Sequence, residues 1–283
     1  MPAPTFLGIG AQKAGTSWLF EMVARHPDVC SGKDKEIHFF NSPKNYEKGR
    51  DWYEAQFTRN PSAHLVGECT PAYLWTVGDV PPTAHLLGTA PRISAAYPDL
   101  RLVASLRDPV ERAVSAYLHL VGHGRVRPGV PIEEATRKLP GIVQKGYYAL
   151  QIKEWLRCFD RDQFLLLVFE EDIRPDPAKG PTLRRVFEHI GADPSFLPSG
   201  MTDRVNDRAS YFDMRRRHAG RIGRRLMGYV PRRLREHPAW EFGVSEEDRA
   251  YLAALYAPEV EALEEILGRP LPWTSTRRLA RLE

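Results

Sequence analysis

Apolar and polar positions along the chain fall into short continuous apolar runs separated by amphipathic stretches. Leu100-Arg101-Leu102-Val103-Ala104-Ser105-Leu106 and Phe164-Leu165-Leu166-Leu167-Val168-Phe169 are compact runs suited to strands buried on both faces. Thr5 to Ile9 is a third, and His64 to Pro71 reads as a short strand entering a turn. Between them, apolar residues recur every three or four positions. That spacing predicts helices over Thr16–His26, Arg92–Tyr97, Val110–Val121, Ile132–Leu139, Gly146–Phe159, Pro181–Ile190 and Ser245–Leu267. Lys35-Glu36-Ile37-His38-Phe39-Phe40 alternates, which reads as an extended segment with Glu36 and His38 on one face. Asn45–Phe57 reads as an aromatic-rich helix or loop, and Pro81–Pro91 as irregular. Strands alternating with helices predict an α/β fold, a three-layer sandwich with a central parallel sheet flanked by helices. With no internal repeat and no convincing linker, residues 1–283 are expected to form a single domain with a basic helical C-terminal portion from about residue 204.

Composition narrows this little. Hydrophobic content of 42% and charged content of 27% suit a globular chain with a real core, and a net charge of +4 is mild. Cys30, Cys69 and Cys158 are odd in number and widely spaced, which argues for a reducing compartment and offers no zinc-site spacing. There is no run of about 18 apolar residues and no signal-peptide pattern at the N-terminus, so a soluble, cytoplasmic protein without a membrane span is expected. Arg204–Arg235 is strongly basic, with Arg215, Arg216, Arg217, Arg221, Arg224 and Arg225 clustered; it suits a solvated helix face or an acidic partner. It lacks the aromatic interleaving and helix pattern of a nucleic-acid reader, so no nucleic-acid partner is expected.

The chemistry begins at the first strand. Gly10-Ala11-Gln12-Lys13-Ala14-Gly15-Thr16-Ser17-Trp18 follows it as a glycine-punctuated turn into a helix. A helix N-terminus carries roughly half a positive charge and free N–H groups, which suits a phosphate. Gly10 and Gly15 have P-loop spacing, but Thr16 stands where the P-loop lysine belongs and Lys13 lies inside the loop. An ordinary strand–helix turn remains the alternative. At the end of the Leu100 strand, Arg107 is followed by Asp108-Pro109 and, two turns into the next helix, by Ser115. Both could reach a ligand beyond the strand's carboxyl edge, where open α/β sheets bind ligands, although a lone Arg there more often serves a structural ion pair. Glu36 beside His38 offers acid–base chemistry or merely a polar strand face. Tyr147 or Tyr148, near a helix start, could face a ligand or pack in the core.

Taken together, these segments resemble the sulfotransferases that use 3′-phosphoadenylyl sulfate (PAPS). Gln12 to Ser17 is similar to their 5′-phosphosulfate loop, and Leu106-Arg107-Asp108-Pro109 through Ser115 to their 3′-phosphate motif. Lys35 to Phe40, Thr70-Pro71-Ala72-Tyr73, and Gly146 to Ala149 with Trp155-Leu156 resemble the heparan-sulfate glucosaminyl branch. The resemblance implies a P-loop-like fold and PAPS as co-substrate, leaving as adenosine 3′,5′-bisphosphate with no metal required. It implies donor contacts from Lys13, Ala14, Gly15, Thr16, Ser17, Trp18, Arg107, Ser115 and Tyr148. Lys13 is expected to stabilise the bridging oxygen as the S–O bond breaks. Glu36 is implied as base, with His38 orienting it or touching the acceptor; a histidine serves in the cytosolic small-molecule branch, so His38 is the rival base. The late Lys-Gly-Arg pattern of the heparan enzymes has no counterpart here, and Arg208 in Val205–Tyr211 is the nearest candidate for the 3′-phosphate. That points to a hydroxyl or amine on a glycan, glycolipid or secondary metabolite as acceptor. A P-loop-type nucleotide phosphotransferase and a non-enzymatic polyanion-binding module are the competing readings.

Overall fold

A computed structural model of the chain describes residues 3–60, 62–77, 88–203 and 244–279. In chain order they form β1 (Phe6–Gly10), α1 (Thr16–Val23), β2 (Val29–Gly32), α2 (Pro43–Tyr46), α3 (Gly49–Glu54), β3 (Phe57–Arg59), β4 (Leu65–Cys69), α4 (Thr89–Ala96) and β5 (Arg101–Leu106). There follow α5 (Pro109–Gly122), α6 (Ile132–Lys138), α7 (Gly141–Gln144), α8 (Tyr148–Trp155), β6 (Phe164–Val168), α9 (Asp176–Ile190), α10 (Glu246–Leu267) and α11 (Thr274–Leu279). Among the described residues, six strands make one sheet in the order β3-β2-β4-β1-β5-β6. Every pairing is parallel except β2 with β3 at the edge.

The alternation of side chains along each strand builds the layers. Leu7 and Ile9 of β1, with Leu102, Ala104 and Leu106 of β5, face Ile93 of α4, Ile152 and Trp155 of α8, and Val260 and Leu263 of α10. Phe6 and Val103 face the other way, with Leu167, and meet Leu19 and Val23 of α1 and Leu183, Val186 and Phe187 of α9. Burying each such side chain stabilises the fold by about 1.5–3 kcal/mol relative to exposure. A third cluster joins α5 to α6, α7 and α10 through Val114, Tyr117, Ile132, Ile142, Leu252 and Tyr256. Where β1 meets β4, Gly67 has no room for a side chain, because a Cβ there would lie 2.5 Å from the Phe6 ring.

Some expectations change in detail. Lys35 to Phe40 is irregular rather than a strand, and His38 takes a left-handed φ of 55°. The strand in this region is β2, just before it. The first helix ends at Val23 rather than His26, after which Ala24 and His26 N–H groups close a turn onto Phe20 and Val23 carbonyls. The predicted start of α9 at Pro181 is five residues late; the helix begins at Asp176 and carries Pro181 inside it. The basic stretch 204–235 and Arg208 lie outside the described residues. Among the described residues no helix is long and apolar enough to cross a membrane.

Candidate active site

All parallel strands end at one edge, and the loops that leave them there meet. Strand β1 lies between β4 and β5, so the loop after β1 is flanked by Thr70 on one side and Arg107 on the other. The Ala11 N–H donates to the Ser105 carbonyl at 2.7 Å, and the Ser105 hydroxyl donates to the Ala14 carbonyl at 2.7 Å. The loop is thus tied down twice to β5. Lys13, half-buried, has a φ of 73° and Gly15 a φ of 82°. Gly15 is the residue before α1, whose start has no side-chain cap. The first N–H groups of α1 therefore point past the loop with helix polarity behind them. A Cβ on Gly15 would lie 2.9 Å from both Phe169 and Ile173.

The two expected anion-binding elements are joined. The Arg107 Nη1 donates to the Lys13 carbonyl at 3.2 Å, which draws the guanidinium onto the loop. Its Cζ stands 5.1 Å from the Phe169 ring centroid, and Glu111 one turn along α5 is 4.0 Å from Nη2. Phe169 thus supports both Gly15 and Arg107. Asp108 caps α5, its Oδ1 accepting from the Val110 and Glu111 N–H groups, while its Oδ2 accepts from Ser275 of α11 at 3.2 Å. Ser115 is half-buried two turns along the same helix. One turn further, desolvation and then the Lys13 charge pull His119 down to about 4, leaving a neutral imidazole near the loop.

The segment after β2 brings the carboxylate and the imidazole expected to do acid–base chemistry together. Glu36 Oε2 is 3.3 Å from His38 Nε2, and His38 Nδ1 is 3.3 Å from Asn41 Oδ1. Lys35 links this pair to the phosphate-type loop: its Nζ donates to Glu36 Oε1 at 3.3 Å and to the Ser17 hydroxyl at 3.1 Å. Desolvation alone would raise the Glu36 pKa. The His38 hydrogen bond and the charge and hydrogen bond of Lys35 outweigh it and hold the carboxyl below the usual 4.5. The Glu36 hydrogen bond, set against desolvation, raises His38 above the usual 6.5. Each group stabilises the charged form of the other.

Of the residues expected at the donor, Lys13, Gly15, Ser17 and Arg107 meet at this edge, while Ser115 lies two turns along α5. Ala14 and Thr16 are buried and contribute backbone. Trp18 turns the other way, into the core between α1 and α9, where its Nε1 donates to the Met201 carbonyl at 2.8 Å and Lys179 stands over its ring. Tyr148 is buried against Trp273 rather than lining an open face, with the Arg107 backbone beside its hydroxyl; burial pushes its pKa well up. Arg208 lies outside the described residues.

Two residues that the sequence did not single out belong to the same edge. Lys145, just before α8, donates to Gln12 Oε1 at 3.1 Å and stands 5.2 Å from the Trp75 ring centroid. Desolvation and the Arg112 charge pull it down to about 8, opposed by the attraction of Glu36. Its only sequence signal was a lone lysine ahead of Gly146-Tyr147-Tyr148. Glu68, at the end of β4, is fully buried beneath the Glu36–His38 segment. Its signal was a carboxylate at a strand end within an otherwise apolar run.

The sulfotransferase domain family matches residues 4–223. The chain is 34% identical over 199 residues to heparan sulfate glucosamine 3-O-sulfotransferase 3B1 of Mus musculus, covering 66% of this chain and 46% of that protein. It is 29% identical over 286 residues to the 3-O-sulfotransferase 6 of the same organism, covering 95% of this chain and 73% of the relative. A sulfotransferase from Alicyclobacillus acidocaldarius superposes with a TM-score of 0.66 at 27% identity, covering 96% of this chain and 98% of that one. The chain spans about half the length of the first of these relatives, at 46%.

Proposed function

The chain belongs to the sulfotransferase domain family, and from that premise we propose that it transfers a sulfuryl group from PAPS to a hydroxyl or amine of a glycan or glycolipid or of a secondary metabolite. The observation that carries this reading is the continuous polar path across the sheet edge. Arg107 holds the Lys13 carbonyl, α1 opens at Gly15, and Ser17 connects through Lys35 to the Glu36–His38 pair. Two anion-binding elements and one acid–base pair on a single edge suit a donor with two separate phosphate positions and an acceptor that must lose a proton.

The donor supplies an activated sulfuryl group whose S–O bond to the 5′-phosphate breaks as the acceptor's oxygen or nitrogen bonds to sulfur. Glu36, ionised because His38 and Lys35 lower its pKa, takes the acceptor proton. The electron pair of the broken bond stays on the leaving phosphate oxygen of adenosine 3′,5′-bisphosphate. Lys13, the N–H groups at the start of α1 and Lys145 offset that developing charge. Arg107 and Ser115 hold the 3′-phosphate, and a charged guanidinium suits that ligand through paired N–H donors. Its likeness to heparan sulfate glucosamine 3-O-sulfotransferases supports a glucosamine-type glycan as the first acceptor to examine.

A panel of glycan and metabolite acceptors incubated with sulfur-labelled PAPS tests this. Label should pass to at least one acceptor with the intact chain, and Glu36→Gln should cut the rate by about 100-fold or more. A Glu36→Gln chain that keeps full turnover would overturn the assignment of the base.

A further inference from the structure

The end of β4 meets the segment carrying Glu36 and His38 at one backbone bond, Cys69 N–H to the Lys35 carbonyl at 3.3 Å, but the next three consecutive N–H groups in reach of the pair are accepted by side chains. Ile37 N–H donates to Glu68 Oε2 at 3.3 Å, His38 N–H to the Thr70 hydroxyl oxygen at 3.2 Å, and Phe39 N–H to the Tyr73 hydroxyl oxygen at 2.9 Å. Both hydroxyls donate their own hydrogens to Glu68, Thr70 to Oε2 at 2.6 Å and Tyr73 to Oε1 at 2.7 Å. A fourth donor, the Tyr53 hydroxyl, reaches Oε1 at 3.3 Å. Glu68, Tyr53 and Tyr73 are each fully buried.

We propose that Glu68 is a positioning residue for the acid–base pair, its buried carboxylate fixing the polarity of the Thr70 and Tyr73 hydroxyls so that three successive backbone N–H groups hold Glu36 and His38 face to face. The chemistry follows from donor and acceptor counts. A hydroxyl has one hydrogen, so donating it to Glu68 leaves its lone pairs for the segment's N–H groups. An ionised carboxyl only accepts, and it fixes this direction at both hydroxyls at once. A buried polar group is costly unless satisfied, and here four donors surround one carboxyl. Burial pushes the Glu68 pKa up, and the Thr70, Tyr73 and Ile37 hydrogen bonds pull it back. Held this way, His38 can adopt its left-handed conformation, which brings its ring back over Glu36 although the two are only two residues apart. In a true strand the same two side chains would merely stand in parallel on one face.

This inference rests on the proposed base role only for its effect on turnover; the geometry of the pair can be read separately. The groups that set the His38 titration are Glu36, Asn41 and Glu68, with Lys35 and Lys145 acting on Glu36. Tyr73→Phe and Thr70→Val each remove one hydroxyl link and leave the Glu68 charge and the pair itself intact, whereas Glu68→Gln reverses the donor pattern at the centre. The His38 imidazole would be titrated by NMR in the full chain and in each variant, alongside binding of adenosine 3′,5′-bisphosphate and sulfuryl transfer. In folded variants the His38 pKa is expected to fall towards its ordinary value as the Glu36 contact loosens. Turnover is expected to drop about 10- to 100-fold, as for a catalytic group displaced by about 1 Å, with bisphosphate affinity within about 2-fold of the original. Should Glu68→Gln fail to fold, Tyr73→Phe and Thr70→Val decide alone. An unchanged His38 titration in folded Tyr73→Phe and Thr70→Val chains would overturn the proposal. If the titration shifts while Glu36→Gln keeps full turnover, the positioning stands and the base assignment falls.

Discussion

Glu36 and His38 pull each other's protons in opposite directions, and this separates the two candidate bases by measurement. With Glu36 as base, activity needs its carboxylate, whose pKa lies below the ordinary 4.5. The acid limb of kcat/KM then falls below the usual carboxylate range. With His38 as base, activity needs a neutral imidazole, whose pKa lies above 6.5, so the acid limb moves above that value. The free-enzyme groups are the ones kcat/KM reports. We expect the first outcome; an acid limb above 6.5 that vanishes in His38→Gln would transfer the role. On the alkaline side, Lys145 loses its charge near pH 8, so a falling limb is expected there. Lys145→Arg should abolish that limb, because a guanidinium stays charged throughout.

At the scale of elements, the β1–α1 connection is the part with least tolerance. Gly15 combines a left-handed backbone with a Cβ direction filled by Phe169 and Ile173, which also borders the Arg107 support. Gly15→Ala is expected to cost about 2–4 kcal/mol in urea denaturation, from the left-handed penalty and the overpacking together. It should also weaken binding of adenosine 3′,5′-bisphosphate. A variant as stable as the original would mean that the loop relaxes freely. The elements also explain which parts of the fold were legible in the sequence. Strands β1, β5 and β6 announced themselves because parallel strands covered on both faces need continuous apolar runs. Strands β2 and β3, of four and three residues, carry too few apolar positions to stand out. Lys35–Phe40 alternates like a strand because Ile37, Phe39 and Phe40 are buried, but its N–H groups are met by side chains of Glu68, Thr70 and Tyr73 instead of a neighbouring backbone. Periodicity reports which face is buried and is blind to the partner of the hydrogen bond. Pro181 read as a helix start for a similar reason: it costs one backbone bond, to the carbonyl of Pro177 in the first turn, and the preceding residues supply their own start at Asp176.

At the scale of the molecule, a six-stranded sheet gathers residues from positions 13 to 145 onto one edge. The placement of the phosphate-type loop and of Arg107 at the sheet edge was readable from local motifs, since they follow the recognisable strands β1 and β5, and the nearness of Glu36 and His38 from their alternation. Trp18 and Tyr148 were not, because a motif fixes the backbone position of a residue and leaves open which layer its side chain enters. Lys145 and Glu68 emerge only from the three-dimensional meeting of distant segments. On the proposed function, the loop at Lys13 and the guanidinium of Arg107 form one binding site for a nucleotide with phosphates at both the 5′ and the 3′ positions. Calorimetric titration with adenosine 3′,5′-bisphosphate measures this most directly. Saturable binding at one site is expected, tighter than for adenosine 5′-monophosphate, and weakened about 10-fold or more by Lys13→Ala and by Arg107→Ala, the scale of one charge-assisted hydrogen bond. Binding of magnesium-ATP in preference to the bisphosphate, or unchanged affinity in both variants, would rule out such a site.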